Sequence, residues 1–453
     1  MIKPASILVA TAVALGLTSC GEHRRAKASS GDFASLSPTA CGTYNGRGCR
    51  PTSSRVDLGN PVFSHPTNIT NPMFPIASLR SAVLVGHAGS DAFRSETTLL
   101  PGTQTIAWKG QKVQVRLSQY MAYVNGRLDE VALDRYAQAD DGSVWYFGED
   151  VFDYRKGGVA ITEGTWLAGR EGPAAMIMPA HPKVGDVFRL ENIPGVVFEE
   201  VTIKSVDQTV RGPHGPVTGA LLADEFHSDG TTDHKIYAPG YGEFRTTGSG
   251  DLEALAVAGP TDAQPGGPPH ELDALSLGAN GILESARIRD WPTAEGTLAR
   301  MQSAWKTVQA RKPPPLVATQ LDDAMGKLGP AVRAHKAAAV EQAAVDVSQS
   351  VLDLELQYRP PEEINAARFE LRTQQLRLYA AANDLAGVTS QVATLEWMRD
   401  RFANSLTPEG RADTDRRLQA LRSAADAKNL VAAGDQAARL GARLRNLMPS
   451  GPP

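Results

Sequence analysis

The hydrophobic positions of the chain follow two periods, and the change from one to the other divides it. Between about residues 71 and 258, short apolar, β-branched and aromatic runs are separated at regular intervals by turn residues. That is the pattern of strands joined by hairpins. Asn125-Gly126 lies between the runs 113–124 and 128–137, and Asn-Gly is the strongest two-residue hairpin signal. Asp140-Asp141-Gly142 leads into Val144-Trp145-Tyr146-Phe147, and Lys156-Gly157-Gly158 turns between 151–154 and 159–162. Further strands are expected over 186–190, 197–206, 217–226, 234–237 and 243–247. Successive hairpins of this kind close most simply into an antiparallel β-barrel or a two-layer β-sandwich.

The stretch 259–290 opens with Pro260, Pro265, Gly266, Gly267, Pro268 and Pro269, a linker by composition. From residue 291 to 448 the period becomes helical. Segments are expected over 291–311, 318–327, 331–358, 361–383, 385–403, 408–427 and 430–448. Pro361 and Pro408 suit first-turn positions, and Thr407 is placed to cap the helix that follows it. Val388, Val392, Leu395 and Phe402 define one buried face, which turns Arg399 and Arg401 toward solvent. Loops of a few residues make neighbours antiparallel. The chain therefore reads as a multidomain α+β protein, an antiparallel β domain over 71–258 followed by an all-α up-and-down helical bundle.

The N-terminal 70 residues follow neither pattern. Lys3 precedes an apolar run over 5–17, about half the length of a membrane span, which is the architecture of an export signal. The run ends in Leu17-Thr18-Ser19-Cys20, which resembles the lipobox of bacterial lipoproteins. The resemblance implies removal of residues 1–19, lipid on Cys20, and an extracytoplasmic place at a bacterial membrane. With Gly21 rather than aspartate after the cysteine, that would be the outer membrane where the cell has one. An ordinary cleaved signal with a chance cysteine is the alternative.

Residues 20–70 are rich in Ser, Gly, Pro and Thr up to about Pro61, a composition expected of a flexible tether. In an oxidising compartment Cys41 and Cys49 read as a disulfide closing a short loop, with lone thiols or a metal pair as alternatives. A chain of 453 residues suits two or three domains. Its net charge of −4 argues against nucleic acid, which calls for a basic surface. No second apolar stretch is long enough to cross a bilayer, so lipid on Cys20 is the expected membrane attachment.

Four motifs carry a family resemblance. They are Leu133 through Gln138 with Asp141-Gly142-Ser143-Val144-Trp145-Tyr146-Phe147-Gly148-Glu149-Asp150, then Gly164-Thr165-Trp166-Leu167-Ala168-Gly169, then Ile177-Met178-Pro179-Ala180-His181-Pro182-Lys183-Val184-Gly185-Asp186, and finally His234-Lys235-Ile236-Tyr237-Ala238-Pro239-Gly240-Tyr241-Gly242. In this order they resemble an uncharacterised family of bacterial secreted proteins and lipoproteins with a WYAQDxxGNVWYFGE core. Arg135 stands where that family has Trp, and Thr165 where it has Ser. The resemblance implies an extracytoplasmic β domain and brings no catalytic residues with it.

Candidate chemistry is sparse. There is no G-x-S-x-G elbow, no S-x-x-K and no H-E-x-x-H, so catalytic residues are not expected. A carboxylate-based hydrolase drawing on Asp134, Glu149, Asp150 or Asp153 is one alternative. A metal centre is another: His227 and His234 flank the turn 228–233, and a hairpin that brought them to one face, with His181 from elsewhere, would suit Zn or Cu. No resident cofactor is otherwise expected. Tyr136, Trp145, Phe147, Tyr154 and Trp166 fall on neighbouring strands, where they either fill the core or line a cavity for a small ligand. The function expected is non-enzymatic binding of a small molecule or an envelope component, with a hydrolase or a ligand-free spacer as alternatives.

Overall fold

The computed structural model describes residues 49–193 and 195–447, and the side chains up to residue 445. The export signal, Cys20 and Cys41 lie outside these residues. Cys49 is disulfide-bonded, and its partner lies outside them too.

Fourteen antiparallel strands form one sheet. They are β1 (Ser81–Ala88), β2 (Asp91–Trp108), β3 (Gln111–Val124), β4 (Arg127–Gln138), β5 (Val144–Arg155), β6 (Gly158–Ile161), β7 (Trp166–Leu167), β8 (Ala175–Met178), β9 (Val187–Ile193), β10 (Val197–Gly212), β11 (Gly215–His227), β12 (Thr232–Ala238), β13 (Gly242–Gly248) and β14 (Asp251–Gly259). The order β6-β5-β4-β3-β2-β1-β14-β13-β12-β11-β10-β9 is two hairpin meanders joined where the first strand pairs with the last. β7 and β8 pair with β5 off this path, and β8 lies beside β9. The sheet is thus open but strongly curled, with its two ends brought near each other. Asn125 (φ 50°) and Gly126 (φ 74°) are both left-handed, as the turn between β3 and β4 requires. The long β2 is offset between Leu99 and Thr103, where Pro101 cannot donate to the ladder.

Eight helices follow among the described residues: α1 (His270–Ile288), α2 (Trp291–Ala310), α3 (Pro315–Arg333), α4 (Ala337–Glu355), α5 (Pro361–Ala381), α6 (Leu385–Phe402), α7 (Pro408–Asp426) and α8 (Leu430–Leu447). None of them is long and apolar enough to cross a membrane. Thr407 caps α7 through the Gly410 N–H at 3.1 Å, with Pro408 in the first turn. Asp384 caps α6. α1 occupies a stretch that composition assigned to a linker; the Pro/Gly cluster ends where its buried stripe of Leu272, Leu275, Ala279 and Ile282 begins.

The helices form a layer against the convex face of the sheet. Val83, Val85 and Val257 of β1 and β14 pack into the core of α1–α5. Met121, Tyr123, Leu128 and Val131 of β3 and β4 pack with Phe369, Val388, Val392 and Phe402. α5 serves both halves, with Ile364 and Leu371 in one core and Phe369 and Leu376 in the other.

Within this apolar interface sits an ionic cluster. Glu96 of β2, fully buried, accepts from Arg94 (2.9 Å) and Arg401 (2.6 Å). Arg94 also makes a two-pronged contact with buried Asp353 of α4 at 2.7 and 2.9 Å. Arg368 donates to the same carboxylate at 2.6 Å, and Arg372 lies 3.8 Å from Glu96 while stacking over Tyr123. Burial alone would raise the Glu96 pKa, but the surrounding guanidiniums hold it well below the usual carboxylate value. Arg401 is therefore buried rather than solvent-facing as its helical position suggests, because the sheet presents it with a carboxylate.

The polar tether also departs from expectation. From Cys49 onward it is folded against the sheet: Arg55 bridges to Val187, Gln138 Oε1 accepts from the N–H groups of Thr70 and Asn71, and Ile69 is buried. Backbone and side chains of the segment are tied into the sheet, with the Arg189 N–H donating to Asp57 at 3.0 Å, instead of solvating a free chain.

Removing one partner of a buried, hydrogen-bonded ion cluster leaves the others unpaired. Glu96→Ala is expected to lower unfolding free energy by about 3–5 kcal/mol in urea titrations. Breaking the exposed Arg80–Glu362 pair by Arg80→Ala should change it by less than about 1 kcal/mol. Equal effects for the two would refute the assignment of Glu96 as the tie between the layers.

Candidate functional site

The concave face of the sheet holds a partly open cavity of about 200 Å3. Strand alternation supplies its wall: Ser118 and Tyr120 from β3, Glu130, Ala132, Asp134 and Tyr136 from β4, and Lys235 and Tyr237 from β12. Phe74, Pro75, Ile76 and Leu79, which precede β1, complete the lining. The wall holds seven carboxyl groups, Glu130, Asp134, Glu149, Glu191, Glu199, Glu243 and Glu253, against the single ammonium of Lys235. All but Glu243 are buried.

Hydrogen bonds compensate part of this charge. Tyr146 donates to Asp134 at 2.8 Å, the indole of Trp166 donates to Glu191 at 2.5 Å, and Ser95 donates to Glu253. Glu149 and Glu191 are close electrostatic neighbours. Lys235 sits 3.2 Å from Glu225 and 3.5 Å from Glu243. The second oxygen of Glu253 and the hydroxyl of Tyr120 are buried without a hydrogen-bond partner. Desolvation dominates the result. Burial pushes Glu130, Glu149 and Glu191 well above the usual carboxylate value, Asp134 to about 6 and Glu253 to about 8. Glu199 moves the other way, because His227 beside it outweighs the cost of burial.

A second polar cluster adjoins the cavity at the end of β11. Glu225 and His227 lie two residues apart on one face, and Asp233 of β12 stands directly opposite Glu225. His227 Nδ1 is 3.4 Å from Glu199 Oε1, and its Nε2 is 3.3 Å from Asp233 Oδ2 and 3.7 Å from Glu225 Oε1. Desolvation opposes charge on the ring, but the carboxylates outweigh it and lift the imidazole pKa to about 11. Burial carries Glu225 to about 7.

The residues anticipated from sequence separate. Of the five aromatics, Tyr136 alone lines the cavity, stacked 4.9 Å from Tyr146. Trp145 and Phe147 alternate away from it and pack with Trp108. Trp166 is fully buried behind Glu191. Tyr154 faces the helices, where Trp397 donates to its hydroxyl at 2.7 Å. The three histidines do not converge. His234 shares a face with Asp224, to which it bonds at 2.7 Å, whereas His227 shares the opposite face with Glu225. His181 lies exposed beyond β8. Asp224, opposite His234, and His227 are an odd number of positions apart on β11, so the two histidine side chains fall on opposite faces.

The sequence signal for these sites is even spacing: Glu130, Asp134 and Tyr136 on β4 share the cavity face, and Glu225 and His227 on β11 share the face beside it. Polar residues at period two on a face destined for burial mark a lined cavity. Of the carboxylates considered for a hydrolase, Asp134 and Glu149 face each other across β4 and β5 and line the cavity, Asp150 pairs with Arg135 at 2.5 Å, and Asp153 stands opposite Glu130.

A carboxyl group whose pKa is higher in the folded than in the unfolded chain binds extra protons when folded, so stability falls as pH rises between the two values. For Glu253 that interval runs from the usual carboxylate value to about 8. The melting temperature of the ligand-free chain should therefore fall from about pH 5 to about pH 8, and Glu253→Gln should flatten the decline. A melting temperature that rises across this range in scanning calorimetry would contradict the assigned protonation.

No protein-family model matches the chain, and no curated protein matches it.

Proposed function

We propose that this chain is an exported, lipid-anchored protein of the bacterial cell envelope that binds a small basic molecule in the acidic cavity of its β domain. The observation that carries the reading is the imbalance of seven carboxyl groups against one ammonium around one pocket. Burying carboxyl groups without counter-charge is costly, and a chain that keeps so many of them in one wall gains from a cationic guest. An amine would find carboxylates to accept its N–H groups. It would also find the aromatic side chains of Tyr136, Tyr146 and Tyr237 along the same wall. The apolar side chains Ile76, Leu79, Leu84 and Ile177 would cover its hydrocarbon part.

Anchoring follows the lipobox-like Leu17-Thr18-Ser19-Cys20, and extracytoplasmic placement agrees with the resemblance of the β domain to secreted bacterial proteins. Lipid on Cys20 holds the cavity at a membrane surface, where a partner would be an envelope component and not nucleic acid. A Cys41–Cys49 disulfide would close the loop that precedes the folded segment.

Two measurements test the two halves of this reading. Metabolic labelling with a palmitate analogue should mark the wild-type chain and not Cys20→Ala; labelling that survives the substitution would remove the anchor. Calorimetric titration should show binding of primary or quaternary amines and not of neutral polyols of similar size. Asp134→Asn combined with Glu191→Gln should weaken amine binding by roughly 10-fold or more. Binding of neutral sugars with equal affinity would replace the cationic ligand with a polyol.

A further inference from the structure

We propose that Glu225, His227 and Asp233 form a binding site for one divalent transition-metal ion, with Glu199 positioning the imidazole. The site adjoins the cavity and does not depend on what the cavity holds. The two distances from His227 to these carboxylates are close to metal-ligand spacing, and Glu199, Glu225 and His227 each bring one ligand atom within 4.8 Å of the other two. Nitrogen and oxygen ligands bind zinc at about 2.0–2.2 Å, so two of them at a tetrahedral angle lie about 3.3–3.5 Å apart. Nε2 of His227 is 3.3 Å from Asp233 Oδ2 and 3.7 Å from Glu225 Oε1. On the far side of the ring, Nδ1 faces Glu199 Oε1 at 3.4 Å. A carboxylate behind a ligating histidine fixes the tautomer that points Nε2 at the ion.

Two further observations point to a ligand. Glu225 is fully buried, and its oxygens and Nε2 of His227 have ion-pair neighbours at 3.2–3.7 Å but make no hydrogen bond. Buried polar atoms are almost always satisfied, and an ion among these three atoms would satisfy them together. Secondly, the Asp233 carboxylate rests over Gly248, where a Cβ would stand 1.8 Å from Oδ1. The glycine gives this carboxylate its place.

In the metal-free chain Lys235 supplies the counter-charge, shared between Glu225 at 3.2 Å and Glu243 at 3.5 Å. The ion takes over Glu225, leaves the ammonium to Glu243, and replaces the second proton of the imidazole. One nitrogen and two carboxylate oxygens suit zinc or a neighbouring first-row ion. Calcium asks for six to eight oxygens, which these residues do not provide.

The test uses the full-length lipidated chain in detergent, stripped with chelator and titrated with zinc chloride. One equivalent should bind. Glu225→Gln and His227→Ala should each abolish that equivalent, and Glu199→Gln should weaken it by about 10- to 100-fold. Gly248→Ala should also weaken it, whereas Lys235→Met should strengthen it by removing the competing cation. Cobalt(II) bound to the wild-type chain, which needs no variant to fold, should show the strong visible absorption of a four-coordinate ion. The absence of a stoichiometric site in the wild-type chain would overturn the proposal, as would a site that persists in both Glu225→Gln and His227→Ala. A lost zinc site with amine binding intact would separate this site from the cavity.

Discussion

The carboxylate of Glu96 is where sheet and helices are held to one another. It lies at the centre of an apolar interface, where an isolated charge would be prohibitively costly, and it receives guanidinium groups from β2 and α6, with α5 close by. Asp353 repeats the arrangement from the helical side, taking Arg94 and Arg368. Hydrophobic contact alone would let a helical layer slide over a curved sheet, because apolar attraction has little direction. Paired guanidinium–carboxylate contacts do have direction, and they set which helix turn lies over which strand.

The same element type is used in opposite ways on the two faces of the sheet. On the convex face Glu96 is surrounded by arginines and kept ionised. On the concave face Glu130, Glu149, Glu191 and Glu253 meet hydroxyls, an indole and one another, and burial moves them toward the protonated form. A structural carboxylate is one whose counter-charge is built into the chain. A carboxylate whose counter-charge is absent is held ready for something that brings it, and this contrast separates the scaffold from the site.

The curl of the sheet connects these two faces. Because β1 and β14 pair at its middle while β8 and β9 approach at its ends, residues from opposite arms of the sheet meet across one space. Glu130 on β4 and Lys235 on β12 are more than a hundred positions apart and line the same cavity. The segment before β1 covers that space with Phe74 and Pro75.

By itself the sequence determined the division into strands and helices, the hairpin turns at 125–126, 140–142 and 156–158, and the cap of α7. These depend on period, on left-handed turn residues such as Asn125 and Gly126, and on side chains such as Thr407 that bond within a few positions of themselves. Composition misjudged α1 and the segment from Cys49 to residue 70, whose order comes from partners distant in the chain. Tertiary structure alone decided which face of each strand turned inward. That choice sent Tyr136 to the cavity and Tyr154 to the helices, placed His227 and His234 on opposite faces, and buried Arg401 beside Glu96. The physical reason is that strand alternation makes the two faces available, while inward and outward are defined only when the sheet curls and the helices cover one side.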